Sequence, residues 1–332
     1  MILIRCDSSS EIGTGHVARC LNLAHLLKTL GHSIEFLCQP LPGNVIAWIE
    51  KNGYKVHSFQ KSEDLNLIKR IKPPWVIVDH YGIDANWEKH LPAGTKIFVI
   101  DDLANRHHIC DVFLDQNFHK QTPNYKSLVP PSCKLLLGPT HCLLKPELIS
   151  PASEKKFRSS PETVAFFGGV DQSGELLKLA EALIQAKESR RFDLVCLSSH
   201  QHLHRLQKLS WPRNLRLLLD PPNWLELLQK ADFYIGSGGT VTWERMFLGL
   251  PGAVISVAEN QRGPSQDLAD RGYQLFWGSS ENFDYSSVPQ KLDILFKDLD
   301  TLKSLSHKGQ KLVQKFDRAL AENIFGVSRS DL

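Results

Sequence analysis

Short apolar strands alternate with amphipathic helices through residues 1–101, and this alternation restricts the fold more than any other feature of the chain. Between the predicted strands at residues 34–38 and 75–79 lie two helical patterns, at 44–52 and 64–71, separated by one further strand. Parallel strands need crossover helices of this kind, whereas antiparallel strands can be joined by tight turns. The sequence therefore predicts an α/β fold built on doubly wound parallel sheets.

The same alternation restarts in the second half, after a polar segment that is rich in serine and proline. This segment spans residues 149–162, and the next predicted strand begins at Thr163. We therefore expect two Rossmann-like domains, residues 1–150 and 151–332, with a cleft between them. A last amphipathic helix, near residues 312–325, is expected to pack back on the first domain.

Length, charge and cysteine usage exclude several other classes of protein. At 332 residues the chain is long enough for two domains with their own cores. Its 39 basic and 36 acidic residues leave a net charge of only +3, so we expect no nucleic-acid partner. The seven cysteines include no Cys-x-x-Cys pair, and no apolar stretch reaches membrane-spanning length. We therefore expect a cytoplasmic protein with reduced thiols and no membrane span, and we take it to be a monomer.

The sequence Gly13-Thr14-Gly15-His16 follows the first predicted strand and opens a helix. Glycine permits backbone conformations and a close ligand approach that a Cβ atom would hinder, and the first N–H groups of a helix favour a bound anion. The positive helix end disfavours a charged histidine, so a neutral His16 beside a phosphate is expected to act as a general base. The alternative is a simple capping turn that carries a polar histidine.

Two further glycine-rich turns follow predicted strands in the second half: Gly168-Gly169 and the run from Gly236 to Thr240. Neither is a Walker loop or a complete dinucleotide fingerprint, so we expect neither an ATPase nor a dehydrogenase. Glu244 lies about one turn inside the following helix, where its carboxylate could accept hydrogen bonds from ribose hydroxyls. Alternatively, it is a solvated residue that complements the helix dipole.

Polar side chains also end two neighbouring strands of the first domain. Asp79, His80 and Tyr81 end one strand, and Asp101 with Asp102 ends the next. Such positions can hold a sugar or position a proton, because ligands bind at the carboxyl ends of parallel strands. Alternatively, the aspartates cap helices or brace loops.

Amides and histidines of the second half form two further patterns. Asn260 and Gln261 follow an apolar strand, where they either face a ligand or cap the next helix. His200, His202 and His204 contain an i, i+4 pair, but no carboxylate or cysteine partner is nearby in the sequence. We therefore predict no metal site, and we predict no cofactor.

Several motifs, taken in order, are similar to those of one enzyme family. They are Ile4-Arg5-Cys6-Asp7, Gly13-Thr14-Gly15-His16-Val17-Ala18-Arg19-Cys20, Val78-Asp79-His80-Tyr81, Ile100-Asp101-Asp102-Leu103-Ala104-Asn105-Arg106, Leu137-Gly138-Pro139, Phe167-Gly168-Gly169-Val170-Asp171, Gly238-Gly239-Thr240-Val241-Thr242-Trp243-Glu244-Arg245 and Ala258-Glu259-Asn260-Gln261. Over nearly its whole length, the chain resembles the UDP-2,4-diacetamido-2,4,6-trideoxy-β-L-altropyranose hydrolases of pseudaminic acid biosynthesis. That family is related to the GT-B glycosyltransferases, including the UDP-GlcNAc transferase that makes lipid II.

The resemblance implies a GT-B-like fold and a metal-independent hydrolysis of a UDP-linked 2,4-diacetamido-2,4,6-trideoxy sugar, with inverting cleavage of the anomeric C–O bond. It implies that His16 activates the attacking water and that Tyr81 is an accessory catalytic group. UDP is then held mainly by the second domain. The implied substrate-binding residues are Asp7, Gly13, Gly15, Gly169, Asp171, Gly238, Gly239, Thr240, Glu244, Asn260 and Gln261.

Two other functions fit the same fold. A GT-B glycosyltransferase would hand the sugar to an acceptor hydroxyl, and a non-catalytic nucleotide-sugar-binding protein would bind it without turnover. We find no apolar and basic surface segment suited to a lipid-linked acceptor, which favours hydrolysis. The presence of both His16 and Tyr81 argues against a pure binding protein.

Overall fold

The computed structural model describes residues 1–60, 63–149 and 155–327. The chain forms two compact units, Met1–Glu147 with Gln314–Leu332 and Leu148–Val313. The domain boundary predicted between residues 150 and 151 lies outside the described residues. Within the described ranges, no helix is long and apolar enough to cross a membrane.

The first unit contains a parallel sheet of seven strands: β1 (Ile2–Cys6), β2 (Ile34–Cys38), β3 (Lys55–Ser58), β4 (Trp75–Asp79), β5 (Lys96–Ile100), β6 (Val112–Asp115) and β7 (Lys134–Leu137). The helices among them are α1 (Gly15–Thr29), α2 (Ile46–Lys51), α3 (Asp64–Ile71) and α4 (Ala85–Glu88). The strand order is β3-β2-β1-β4-β5-β6-β7, so the direction of winding reverses between β1 and β4. Such a reversal point is where ligands bind in open α/β sheets.

The second unit contains a parallel sheet of six strands: β8 (Glu162–Phe166), β9 (Arg191–Cys196), β10 (Leu215–Leu219), β11 (Phe233–Gly236), β12 (Gly252–Ser256) and β13 (Leu275–Ser279). Its helices are α5 (Glu175–Gln185), α6 (Leu203–Gln207), α7 (Trp224–Lys230), α8 (Val241–Phe247), α9 (Glu259–Asp270), α10 (Val288–Leu295) and α11 (Leu299–Leu312). The strand order β10-β9-β8-β11-β12-β13 reverses between β8 and β11. The predicted glycine-rich turns at residues 13–16 and 168–169 follow β1 and β8, which are the strands at these two reversal points.

The C-terminal segment differs from the single helix predicted near residues 312–325. Helix α11 ends at Leu312, and a separate helix, α12 (Arg318–Phe325), begins after an extended stretch. The break has a local cause, because the Asp317 carboxylate accepts a hydrogen bond from the Leu320 N–H and caps α12. The Phe325 ring then packs 4.8 Å from that of Trp75 in the core of the first unit.

Candidate active site

His16 lies at the reversal point of the first sheet, on the first turn of α1. The loop from β1 reaches the helix through Gly13, whose φ of +80° lies in the left-handed region that favours glycine. Helix α1 begins at Gly15 with no side-chain cap and no acidic residue in its first turn. A Cβ atom added at Gly15 would meet no protein atom within 4 Å. The N-terminus of α1 therefore keeps the features that favour an anion.

The side chain of His16 is held by the last residue of the neighbouring strand. The imidazole Nδ1 lies 2.8 Å from Asp79 Oδ1 and 3.1 Å from the Asp79 main-chain oxygen, and His16 is only 7% exposed. Both partners are acceptors, so the proton is on Nδ1 and Nε2 is left as the acceptor nitrogen. This tautomer is the one a general base needs, because Nε2 can take a proton from water.

The Asp79 carboxylate also changes the charge preference of His16. Burial acts to lower the His16 pKa, but the charge and hydrogen bonds of Asp79 outweigh it, and the pKa is raised above its ordinary value. The positive end of the helix alone predicts a shift of the His16 pKa in the opposite direction. That expectation is wrong, because a carboxylate at hydrogen-bond distance acts more strongly than the partial charge of a helix terminus.

Asp79 is in turn paired with Arg19, one turn further along α1. The Arg19 guanidinium donates from Nε to Oδ2 at 2.6 Å and from Nη2 to Oδ1 at 2.7 Å, and the aspartate is completely buried. Burial alone would raise the pKa of Asp79, but Arg19 and His16 hold it well below its usual range. Asp79 therefore neither caps a helix nor braces a loop; it joins His16 to Arg19.

Tyr81 lies beside His16 and is held by Asp102. The two rings meet edge to face, with centroids 4.7 Å apart and planes at 85°. The Tyr81 hydroxyl donates to Asp102 Oδ1 at 2.8 Å, and burial followed by the Asp102 charge raises the pKa of the phenol. Tyr81 is therefore neutral, and its oxygen faces other groups as an acceptor.

The carboxylate of Asp7, predicted to bind substrate, is occupied by protein groups. Oδ1 accepts from Arg5 Nη1 at 2.7 Å and from the Gln39 N–H at 2.7 Å, while Oδ2 lies 3.0 Å from Arg5 Nη2 and 3.2 Å from His80 Nε2. Burial acts to raise the pKa of Asp7, but His80 and Arg5 outweigh it and lower it to about 2. These contacts favour a positioning role over direct contact with a substrate.

A second buried histidine of this unit, His108, lies between Glu88 and Asp101. His108 Nδ1 lies 2.6 Å from Glu88 Oε1, and its Nε2 lies 3.9 Å from Asp101 Oδ2. Burial lowers the His108 pKa, but Asp101 and Glu88 outweigh it and raise it to about 9. Asp101 also accepts from Arg106 Nη2 at 2.6 Å, so this carboxylate braces the neighbouring loop.

In the second unit, Asp171 caps a helix instead of facing an open space. Glu175 and Leu176 are the first two residues of α5, and their N–H groups donate to the two Asp171 carboxylate oxygens at 2.9 and 2.8 Å. Oδ2 also lies 3.1 Å from His200 Nε2. These hydrogen bonds favour a structural role for Asp171 over the predicted contact with a substrate. Gly169 precedes it in the same loop, and its carbonyl accepts from Ser199 Oγ at 2.8 Å.

The second glycine turn is tied to the loop that carries the two amides. Gln261 Oε1 accepts from the N–H groups of Gly238 and Val257, at 3.3 and 3.2 Å. A Cβ atom at Gly238 would fall 2.6 Å from Ser265 Oγ, so a larger residue there requires the Ser265 side chain to shift, whereas one at Gly239 would meet nothing within 4 Å. Gln261 thus connects the loops that follow β11 and β12.

The remaining predicted residues lie on, or directly before, the helices that follow these two strands. Thr240 immediately precedes α8, and Asn260 is an exposed residue on the first turn of α9. Glu244 on α8 is 5% exposed, and its Oε2 accepts from the Trp224 indole Nε1 at 2.9 Å. The alternative of a solvated Glu244 is therefore wrong. The sequence does not point to Trp224 as a site residue, because no local pattern identifies an indole as the partner of a carboxylate 20 residues away.

Among the described residues, no group of three or more His, Cys, Asp or Glu side chains could hold a metal ion. His200 instead pairs with Asp171, and the His202 imidazole contacts the Gln172 carbonyl at 3.0 Å. The roles of both histidines are thus accounted for within the second unit.

Two curated proteins are similar to this chain along most of its length. The UDP-2,4-diacetamido-2,4,6-trideoxy-beta-L-altropyranose hydrolase of Campylobacter jejuni is 32% identical over 277 residues, which are 82% of this chain and 98% of that protein. The chain belongs to this hydrolase family. An uncharacterized protein of Methanocaldococcus jannaschii is 29% identical over 273 residues, 79% of this chain and 56% of that protein. No family model matches the sequence.

Several solved structures with a fold similar to that of this chain are glycosyltransferases. MurG of Acinetobacter baumannii has a TM-score of 0.65 at 14% identity, covering 97% of this chain and 98% of that one. The spinosyn rhamnosyltransferase SpnG has a TM-score of 0.64 at 12% identity, covering 98% of this chain and 100% of that one. At these identities the likeness concerns the fold alone, which confirms the predicted GT-B-like architecture with two Rossmann-like domains.

Proposed function

We propose that this chain hydrolyses a UDP-linked 2,4-diacetamido-2,4,6-trideoxy sugar to UDP and the free sugar, in pseudaminic acid biosynthesis. Membership of the hydrolase family supports the reaction class and the substrate. The observation that carries the proposal is the pairing of His16 Nδ1 with Asp79 at 2.8 Å, since it leaves Nε2 as an acceptor for a proton from water.

In the proposed reaction, His16 Nε2 takes a proton from water while the water oxygen forms a bond to the anomeric carbon. The bond from that carbon to the phosphate oxygen breaks, and UDP leaves with the electron pair. Attack from the face opposite UDP inverts the anomeric centre. Asp79 stabilises the imidazolium formed in this step, because its buried carboxylate is at hydrogen-bond distance from Nδ1.

The proposed role of Tyr81 follows from the hydrogen bond that its hydroxyl donates to Asp102. Its hydroxyl hydrogen points to Asp102, so its oxygen can only accept a hydrogen bond from a further group. The Tyr81 ring is in contact with that of His16. We assign Tyr81 to the second hydrogen of the attacking water, which would orient the lone pair of the water toward the sugar.

In the proposed hydrolysis, protein groups stabilise the negative charge of the departing diphosphate without a metal ion. The N-terminus of α1 has no side-chain cap and no acidic residue in its first turn, and it can stabilise phosphate charge. We assign UDP binding to the second unit, with the Gly238–Gly239–Thr240 turn, Asn260 and Gln261 on the diphosphate and Glu244 on the ribose hydroxyls. The hydrogen bond from Trp224 orients the Glu244 carboxylate for this task.

The proposal is tested by incubating the protein with the UDP-sugar in ¹⁸O-labelled water and no acceptor. We expect stoichiometric UDP without label, a free sugar that carries one ¹⁸O atom at its anomeric carbon, and an inverted anomer in the first NMR spectra. UDP release only after a sugar or lipid acceptor is added would establish a transferase instead. Binding without any UDP release would establish a nucleotide-sugar-binding protein.

Metal independence is tested in the same assay. We expect full turnover in EDTA, because helix ends and N–H groups can take the diphosphate charge. Loss of turnover on chelation, restored by a divalent cation, would contradict this expectation.

A further inference from the structure

His16 and Tyr81 are connected through a buried chain of charged groups. From His16 the contacts run to Asp79 at 2.8 Å, from Asp79 to Arg19 at 2.6 Å, from Arg19 Nη1 to Asp102 Oδ2 at 3.6 Å, and from Asp102 to the Tyr81 hydroxyl at 2.8 Å. The edge-to-face contact of Tyr81 with His16 closes the ring. Arg19 is therefore the one group that touches both carboxylates of this ring.

The charges of this ring depend on the protonation state of His16. Two carboxylates and one guanidinium leave one excess negative charge while His16 is neutral, and none once it is protonated. Arg19 opposes protonation of His16, whereas Asp79 favours it. Asp102 bears on His16 through Arg19, and the Cys20 thiol, 3.5 Å from Asp79, is neutral because burial raises its pKa. Arg19 thus limits how strongly Asp79 holds a proton on His16.

We propose that Arg19 and Asp102 are positioning residues that set the protonation of His16 and the orientation of Tyr81 in the proposed hydrolysis. The inference rests on the proposed function, since it takes His16 as the base. Arg19 opposes the effect of Asp79 and so maintains a fraction of neutral His16 that can accept a proton near neutral pH. Asp102 balances the charge of Arg19 and directs the Tyr81 hydroxyl; Asn117 Nδ2 donates to Asp102 at 3.0 Å and holds this carboxylate in place.

A residue that only stabilises the fold would not affect the pH profile in a defined direction, whereas Arg19 should. In Arg19→Gln, the His16 pKa rises because a neighbouring positive charge is lost, and such a charge is worth about 1–3 pH units. The acidic limb of kcat/KM should move up by that amount, and activity lost at pH 7 should return in alkaline buffer, with KM unchanged. Arg19→Lys keeps the charge but loses the planar fork, so its limb should stay near that of the wild type.

Asp102→Asn should move the acidic limb in the opposite direction. The amide can still accept from Tyr81, but the negative charge that offsets Arg19 is gone, so the His16 pKa falls. We expect a smaller shift than for Arg19→Gln, because Asp102 affects His16 through Arg19 and not by direct contact. Opposite shifts from the two variants are difficult to obtain by general damage to the fold.

Arg216→Gln provides the matched control. Arg216 makes an equally short bidentate pair with Asp193, at 2.6 Å on both arms, in the second unit. Its loss should leave the acidic limb in place. An upward shift in this control would overturn the proposal, because it would show that loss of any Arg–Asp pair moves the profile.

The His16 pKa is also measured directly, by NMR titration of protein with isotope-labelled histidine, using His16→Asn to assign the signal. We expect it to rise in Arg19→Gln and to fall in Asp102→Asn. This titration needs no turnover, so a protein that hydrolyses nothing would refute the proposed function while the proposal for Arg19 is still decided. An unmoved His16 pKa in Arg19→Gln overturns the proposal. If that variant does not fold, an unmoved or raised pKa in Asp102→Asn overturns it.

Discussion

Replacing Asp79 with asparagine tests the central contact of the candidate site. Asparagine has the same shape, but it has no charge and replaces one acceptor oxygen with a donor NH₂ group. Asp79 now receives hydrogen bonds from His16 Nδ1 and from two Arg19 nitrogens. The variant therefore loses the bidentate pair with Arg19, and it loses the charge that stabilises a protonated His16.

The structure sets the expected size of both effects. Removing one partner of a buried ion pair costs about 3–5 kcal/mol of unfolding free energy, because the other charge stays buried. The Asp102 carboxylate, 3.6 Å from Arg19, offsets part of that cost. An aspartate that fixes the tautomer of a catalytic histidine is worth on the order of 10⁴ in kcat, or roughly 5.5 kcal/mol of transition-state free energy. The kcat loss in Asp79→Asn should be smaller than this, because the main-chain oxygen of residue 79, 3.1 Å from His16 Nδ1, still favours the same tautomer.

The assay is acceptor-free UDP release from pH 5 to 10, with urea unfolding of the same preparations. Without Asp79, burial is the dominant effect on His16, so its pKa falls and the acidic limb moves to lower pH. Asp193→Asn, which breaks the Arg216 pair, is the control and should leave kcat and the limb unchanged. A folded Asp79→Asn variant with near wild-type kcat and an unmoved limb would refute the assignment of His16 as an Asp79-held base.

Three further predictions follow from the same contacts. His16→Asn should retain UDP affinity and lose the acidic limb, with kcat lower by on the order of 10²–10⁴; near wild-type turnover would remove His16 from the mechanism. Glu244→Ala should raise the KM for the UDP-sugar by a factor that corresponds to about 1.5–3 kcal/mol of lost binding free energy, while kcat changes little. An unchanged KM would count against ribose binding by Glu244. His108 has a pKa raised to about 9, so its protonated form stabilises the folded state. This contribution to the free energy of unfolding is complete below about pH 6.5 and is lost as the pH rises to about 9. The stability gap between wild type and His108→Gln should therefore shrink over that range by up to about 3 kcal/mol; a constant gap would contradict the ion pair with Glu88.

Much of the fold can be predicted from local patterns. The predicted bounds of β4, residues 75–79, and of α3, residues 64–71, coincide with the observed Trp75–Asp79 and Asp64–Ile71. The strands β6 and β7 were not predicted, because no helical pattern lies between them and β5 to indicate a crossover. Helix α9 was expected after the two amides but without bounds, and Gly263 and Pro264, which lie in its interior, would by local rules end it early.

The candidate site divides in the same way. Its glycine turns and the place of His16 at the start of α1 are local features, and the structure has them where the sequence indicates. The Asp171 carboxylate is held by N–H groups four and five residues along the chain, whereas the contacts that occupy Asp7 are not all local in this sense. Asp7 receives the Gln39 N–H from 32 residues away, and nothing in the spacing of the chain distinguishes such an anchor from a ligand-binding aspartate.

By itself, the sequence determined the parallel architecture and placed His16, the proposed base, at the start of a helix, because periodicity and glycine turns act over a few residues. Only the tertiary structure decided the tautomer of His16 and the direction in which its pKa is shifted. His16 and Asp79 are 63 residues apart, and they meet because β1 and β4 are neighbours with Cys6 opposite Asp79. A pKa depends on burial and on charges a few ångströms away, and those distances exist only once the sheet has formed.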